Sequence, residues 1–354
     1  MNRNRQTLRL EDIHHVLSDW TGIDPAHMRA GRDIQRSLRD LPMRLRERIV
    51  GQDDAICDAV SALRRKLQLK PELRGEGPVA TLLFAGPSGV GKTETARQIA
   101  GHFYGSEERF LKRIDLSEFT AEHTAARLLG SPPGYVGHGQ GGELVNALKD
   151  ERHGLLLLDE VEKAHPTVLT DALLPLLGSG TVHEMGTGRE VDASNYLVVM
   201  TSNLGTNRHL ETSEQPANAA SKAEERISKA VRSSLPNEFL GRIDEITVFH
   251  PLGREEIRKI WDLRLKEFEQ KLSRQYDGFS GINVARSCWD LLLERAQKNV
   301  PAEGARAVQK VIDRIVAARS LELVGGGPPS TGTWSIQIEQ AEGDLRFVLQ
   351  TEED

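Results

Sequence analysis

Lys92 and Thr93 close the run Gly86-Pro87-Ser88-Gly89-Val90-Gly91-Lys92-Thr93, which has the form G-x-x-x-x-G-K-[ST]. A short apolar stretch, Thr81-Leu82-Leu83-Phe84-Ala85, precedes it, and Glu94-Thr95-Ala96-Arg97-Gln98-Ile99-Ala100 follows with helical character. Polyphosphate is densely charged, so backbone N–H groups must come close to it. Glycines remove the Cβ atoms that would block the approach, and a helix N-terminus adds a favourable dipole. In such a cradle the Lys92 ammonium neutralises β- and γ-phosphates and the Thr93 hydroxyl ligates Mg²⁺. The pattern predicts a site for a nucleoside triphosphate.

Two carboxylates point to the same chemistry. The run Gly154-Leu155-Leu156-Leu157-Leu158 is apolar throughout, as a strand buried on both faces of a parallel sheet should be. It ends in Asp159-Glu160, at the strand end where ligands bind in open α/β sheets. Downstream of a phosphate loop, Asp159 is expected in the Mg²⁺ shell, and Glu160 is expected to orient and deprotonate the attacking water. A further buried strand, 196–203, ends in Asn203, whose amide suits either a bond to the γ-phosphate or that water, or a simple turn. Ile49-Val50, followed by Gly51 just upstream, suits either the wall of an adenine pocket or ordinary core.

These residues must be carried by an α/β domain. A chain of 354 residues is long enough for two compact domains. Its 46 Lys and Arg against 52 Asp and Glu leave a net charge of −6, which argues against wholesale binding of a nucleic-acid backbone. Cys57 and Cys288 lie far apart without metal-ligand spacing, which suits a reducing compartment. No apolar run approaches the length of a membrane span, and 1–6 leads into no apolar signal-like segment, so a cytoplasmic location is expected.

In chain order, Ile13, Val16, Leu17 and Trp20 predict a helix over 8–23, and the arginine-rich stretch 29–48 predicts a charged helix face. Residues 48–56 lead into a helix expected through Val60, Leu63 and Leu67, followed by a turn-rich connector over 70–77. Residues 109–115 suggest a strand. The glycine- and proline-rich run 130–142 must be an exposed loop, with Tyr135-Val136 as its large side chains. They are either a contact to something outside or an anchor for the loop. A helix is expected at 166–177, a second glycine-rich loop at 178–188, a mobile polar loop at 205–225 and a helix through Ile227, Val231 and Leu235. The first domain should close near 250. Beyond it, Ile257, Trp261, Leu265, Phe268 and Leu272 form one helical stripe and Val308, Val311, Ile312 and Ile315 another. A terminal hairpin alternates through Trp334, Ile336, Ile338, Leu345, Phe347 and Leu349.

Together these motifs resemble the ATPase module of the Clp-type AAA+ protein unfoldases. The matching pieces are 49–52, the phosphate loop with Glu94, 116–119, 130–137, 158–166, 200–203, 242–245 and Gly304-Ala305-Arg306. Even 16–23 resembles the segment that precedes this module in two-ring relatives. The resemblance implies an α/β P-loop AAA+ module, a parallel sheet flanked by helices, over 49–250. It also implies an N-terminal helical extension over 1–48, and over 251–354 a smaller helical lid domain ending in a β-hairpin. It implies ATP with Mg²⁺ held by Thr93 and Asp159. Tyr135 and Val136 would form a substrate-gripping pore loop, and 178–188 a second one. Asn203 would be sensor 1, Arg306 sensor 2, and Arg242 an arginine finger serving a neighbouring subunit.

The implied assembly is a homo-hexamer that threads polypeptide substrates through a central pore. There are departures from the pattern: Gly241 stands where relatives usually carry Asn, His138-Gly139-Gln140 where they tend to carry acidic residues, and Ala307-Val308 after Arg306 where they carry Pro-Leu. Residues 1–48 leave no room for a first ATPase ring and are a candidate adaptor contact. The 205–225 stretch lacks the tripeptide by which relatives dock a peptidase. A single-ring remodelling chaperone is therefore expected, ahead of a protease subunit, a nucleotide-gated scaffold that does not translocate, or a nucleic-acid motor. No membrane partner is expected.

Overall fold

The computed structural model describes residues 34–68, 76–131, 141–206, 216–297, 300–325, 333–341 and 344–352. Tyr135, Val136, the 138–140 departure and the helix expected over 8–23 fall outside them. The described residues form two compact units, one made of 34–68, 76–86, 92–131, 141–206 and 216–249, the other of the loop Pro87–Gly91 and the described residues from 250 onward.

The first unit carries β1 (Ala80–Ala85), β2 (Leu111–Asp115), β3 (Gly154–Asp159), β4 (Thr181–His183), β5 (Glu190–Asp192), β6 (Tyr196–Ser202) and β7 (Glu245–Val248). Five of them make one parallel sheet in the order β2-β3-β6-β1-β7. Every residue of β1, β3 and β6 is buried, which explains their continuous apolar sequences. Successive side chains point to opposite faces. Leu156 and Leu158 therefore join Leu83, Val198 and Met200 in one core with Leu144, Leu148, Leu173, Leu176, Ile227 and Val231 from the covering helices. Each such leucine contributes about 1.5–3 kcal/mol by leaving water. Phe84 stands in β1, between β6 and β7, with its ring 5.2 Å from that of Phe249.

Register then fixes the site. Ala85 pairs with Ser202 and with Val248, Leu158 with Met200, and Asp115 with Asp159. The carboxyl ends of the strands therefore finish along one edge, carrying Gly86, Asp159, Glu160 and Asn203 to the same place.

Several local expectations are corrected. Residues 107–110 form a helical turn capped by Ser106, whose side chain accepts the Arg109 N–H, so β2 starts only at Leu111. The helix expected at 166–177 is a π-turn, Val168–Leu173, running into the α-helix Leu174–Ser179. The glycine-rich 178–188 stretch is no plain loop. After Gly180 it enters β4, which pairs with β5 through Val182 and Val191. The polar segment 205–225 is not loop throughout either, since the helix Pro216–Ser234 begins with a proline at a position whose N–H needs no partner.

In the second unit the helix Arg254–Gln275 buries Ile257, Ile260, Trp261, Leu265 and Leu272, whereas Phe268 is only partly covered. Helix Ala305–Val311 continues through a π-turn, Ile312–Ala317, into Ala318–Gly325. The expected terminal hairpin is present as β9 (Thr333–Ala341) and β10 (Asp344–Glu352). A strand not anticipated from the sequence, β8 (Phe279–Val284), pairs parallel to β9 with an irregularity between Phe279 and Gly281. Among the described residues no helix is long and apolar enough to cross a membrane.

Candidate nucleotide site

The phosphate loop leaves β1 and enters the helix Lys92–Tyr104. Gly86 has φ +152°, and a Cβ there would lie 2.4 Å from the Phe249 carbonyl oxygen, so only glycine fits. The Gly86 N–H donates to Ser202 O, and Phe249 N–H donates to Ala85 O, which locks the start of the loop between β6 and β7 (3.1 and 2.7 Å). Val90 is buried, and Pro87, Ser88, Gly89 and Gly91 are partly exposed.

Lys92 is 6% exposed, and its ammonium donates to Gly86 O at 2.7 Å and to Asn203 Oδ1 at 2.9 Å. Both of these acceptors are neutral oxygens, an amide and a peptide carbonyl. The Asn203 amide donates from Nδ2 to Glu160 Oε1 at 3.1 Å. Lysine is only a donor and the carboxylate only an acceptor, so the amide orientation is fixed by its two neighbours. Lys92, Asn203 and Glu160 thus form one hydrogen-bonded chain across β1, β6 and β3.

Glu160 stands in the left-handed region, φ +58° and ψ +51°, where among the described residues every other positive-φ position is glycine. That conformation costs about 1–2 kcal/mol for a residue with a Cβ. It is held from several sides. Glu160 N–H donates to Thr201 Oγ1 at 3.0 Å, and its Oε2 pairs with Lys163 Nζ at 2.6 Å. The carboxylate in turn holds the Lys163 ammonium above the usual lysine range, chiefly through that hydrogen bond. Glu162 accepts the Asn203 backbone N–H at 3.0 Å.

Asp159, 5% exposed, faces Thr93, with the Thr93 hydroxyl 3.4 and 3.5 Å from its two oxygens. Thr201 donates to Oδ1, and Arg113 donates to Oδ2 from Nε at 3.1 Å and Nη2 at 2.7 Å. A hydroxyl opposite a carboxylate is a hard-oxygen donor set, and Mg²⁺ takes such donors while leaving its other positions to phosphate and water. The residues present therefore fit that ion. Glu94 lies one turn into the helix, bonded to Gln98. Ile49 is buried, its N–H on Leu45 O, and Val50 is half-buried.

Two expected site residues lie apart from this chain of bonds. Arg242 follows the short helix Asn237–Leu240 and is exposed. Its neighbours are pinned: Asp244 exchanges backbone and side-chain bonds with Thr81 and pairs with Lys66, and Glu245 pairs with Arg65. The guanidinium itself has no hydrogen bond or ion pair among the described residues, and lies over Gly178, where a Cβ would sit 3.5 Å from its central carbon. Arg306 is an exposed residue of helix Ala305–Val311 in the second unit. The sequence reading did not single out Arg113, Thr201, Glu162 or Lys163. An arginine inside β2, two residues before Asp115, was the available signal for the first.

A lysine-bearing glycine loop on β1, with acidic residues ending β3 and an amide ending the strand between them, defines a P-loop nucleotide-binding protein. Residues 77–246 match the family described as AAA domain (Cdc48 subfamily). The chain is 39% identical to the chaperone protein ClpC4, chloroplastic, of Oryza sativa subsp. japonica over 326 residues, 91% of this chain and 34% of the relative. It is 38% identical to chaperone protein ClpB of Meiothermus ruber over 305 residues, 86% of this chain and 34% of the relative. With ClpB of Aquifex aeolicus it shares 34% identity over 354 residues, 97% of this chain and 33% of the relative. These matches, at 34–39% identity over most of the chain, support a Clp-type AAA+ family. The chain spans about a third of the length of these relatives.

Proposed function

We propose that this chain binds and hydrolyses ATP and uses the energy to remodel protein substrates as a chaperone, working as a homo-hexamer that draws polypeptide through a central pore. The observation that carries it is the bonded sequence Lys92–Asn203–Glu160, which joins a phosphate-binding ammonium to a carboxylate placed to act on water. ATP would be held by 86–93, Lys92 and Thr93 at its phosphates, with Glu94, Ile49 and Val50 as further binding residues. Thr93 and Asp159 would hold Mg²⁺, which would supply charge neutralisation on the phosphates. Glu160 is the general base, Asn203 its positioning partner, and Arg306 the residue that reports the nucleotide to the lid.

Arg242, exposed and unpaired among the described residues, is available to a neighbouring subunit. Tyr135 and Val136 grip the polypeptide, residues 1–48 are the contact for an adaptor, and neither nucleic acid nor a docked peptidase is part of the activity. The cytoplasm, where Cys57 and Cys288 stay unpaired, is the compartment this reading assigns.

The test is ATP turnover by the purified protein with and without an unfolded polypeptide. Stimulation that Tyr135→Ala abolishes supports the reading. Turnover blind to polypeptide in the unaltered protein would leave a nucleotide-gated scaffold in its place.

A further inference from the structure

Asp159 is a buried carboxylate with its own cation. Its side chain is 7% exposed, that of Arg113 is 50% exposed, and Nε and Nη2 of the guanidinium both donate to Oδ2. The other oxygen accepts from Thr201, and both face the Thr93 hydroxyl. Removing a carboxylate from water without a counter-charge is costly, and Arg113 supplies that charge from the neighbouring strand. Arg113 pairs with Leu157 in the β2–β3 register, two residues before Asp159 on β3, so the side chain has only to run along the strand to reach it.

We propose that Arg113 sets the metal affinity of the nucleotide site by competing with the divalent cation for Asp159. This rests on the nucleotide-site reading above. Two cations share one carboxylate: the guanidinium fills lone pairs of Oδ2 and raises the positive potential beside the Thr93–Asp159 gap. A divalent ion entering that gap binds against this charge, and linkage requires that it weaken the Arg113 bond by the same factor. Arg113 is thus a positioning residue that keeps Asp159 aimed while the metal is away, and its cost is weaker metal binding. A lysine at the same position offers a point charge without the fork of donors that fixes the carboxylate plane.

A purely structural arginine and a competing one make opposite predictions for removal. The experiment uses the full chain and its Arg113→Met and Arg113→Lys variants, with the fluorescent nucleotide mant-ADP and Mg²⁺ titrated from an EDTA baseline. Arg113→Met should lower the half-saturating Mg²⁺ concentration roughly three- to tenfold, because a unit charge beside the ion has gone. Nucleotide affinity in EDTA should stay as it was, and Arg113→Lys should lie nearer the unaltered protein. Thermal melting supplies an independent readout: the metal-free Met variant should melt lower, and Mg²⁺ with ADP should recover more stability in it than in the unaltered chain. A half-saturating Mg²⁺ concentration that rises or does not move in Arg113→Met overturns the proposal while leaving the nucleotide site standing. If the unaltered chain binds mant-ADP identically with and without Mg²⁺, the metal-dependent site is itself refuted, and the proposal goes with it.

Discussion

Asn203 donates its side-chain N–H to Glu160 Oε1 across 3.1 Å, tying the end of β6 to the residue that follows β3. The same amide accepts from Lys92, so one short side chain touches both the ammonium of the glycine loop and the carboxylate proposed above as the general base. Phosphate drawn toward Lys92 competes with the Asn203 oxygen for the ammonium, and an amide released at one end is free to turn at the other. On the function proposed above, occupancy of the loop would then free the Glu160 carboxylate.

Replacing Asn203 by Ala should separate binding from hydrolysis. Lys92 keeps Gly86 O and Glu160 keeps Lys163, so neither charge is orphaned. The stability loss should stay within about 1–3 kcal/mol, the cost of one missing partner. Nucleotide affinity should change little, while turnover falls at least about tenfold through loss of positioning. Equal losses in affinity and turnover would show that the amide only supports the loop.

Glu160 combines the chemical role proposed for it with a strained backbone, and different substitutions read them apart. Glu160→Gln should hold ATP without hydrolysing it, with turnover down roughly a hundredfold or more. In the comparison of Glu160→Ala with Glu160→Gly, both lose the carboxylate, but only Gly relieves the positive φ. The Gly variant should be the more stable of the two by about 1 kcal/mol in chemical denaturation. An Ala variant as stable as Gly would mean that the turn has relaxed to another conformation.

Glu184, at the tip of the β4–β5 hairpin, is 4% exposed and bonded to Thr187 at 2.5 Å and Lys149 at 3.0 Å. The Thr187 hydroxyl first, then Lys149, hold its carboxyl below the ordinary glutamate value of 4.5. A lowered folded pKa means stability fully present above the unfolded value and lost as pH falls through the folded one. Amide exchange at Met185 and Gly188, whose N–H groups bond Leu129 O and Glu184 O, should therefore speed up selectively below about pH 4.5. In Glu184→Gln that pH dependence should vanish. Persistence of the acid response in the Gln variant would assign it to another group.

How much of this could be read from the sequence depended on how strongly burial constrained each stretch. Leu155 to Leu158 had to be a strand buried on both faces, and every residue of β3 is. Asp159, Glu160 and Asn203 followed from their places at strand ends, and the hairpin of β9 and β10 from its alternation. Hairpin β4–β5 was hidden because each strand has three residues and one inward valine, too short for a period, while glycines at 178, 180 and 188 dominate the stretch. β8 was hidden by the irregularity around Gly281. The start of helix Pro216–Ser234 was obscured by its polar, alanine-rich first turns. Arg113 was illegible for another reason: a charged residue in a strand ordinarily faces solvent, and only the register with β3 shows that it reaches Asp159.

Arg242 gives the sharpest separation of stability from activity. Its guanidinium is exposed and, among the described residues, makes no hydrogen bond or ion pair, so Arg242→Ala should change stability by no more than about 0.5 kcal/mol. Nucleotide binding should survive as well, because Lys92, Thr93 and Asn203 are untouched. Turnover should nevertheless fall by about 10³-fold or more if the guanidinium meets transition-state charge in a neighbouring subunit. Mixing tests the direction of that service. Chains carrying Arg242→Ala retain a sound phosphate loop, and chains carrying Lys92→Ala retain a sound arginine. Neither should turn over ATP alone, yet a mixture should recover part of the activity at interfaces where the two kinds meet in the right order. Activity that stays at zero in every mixing ratio, with assembly verified by sedimentation, would place Arg242 in service of its own chain.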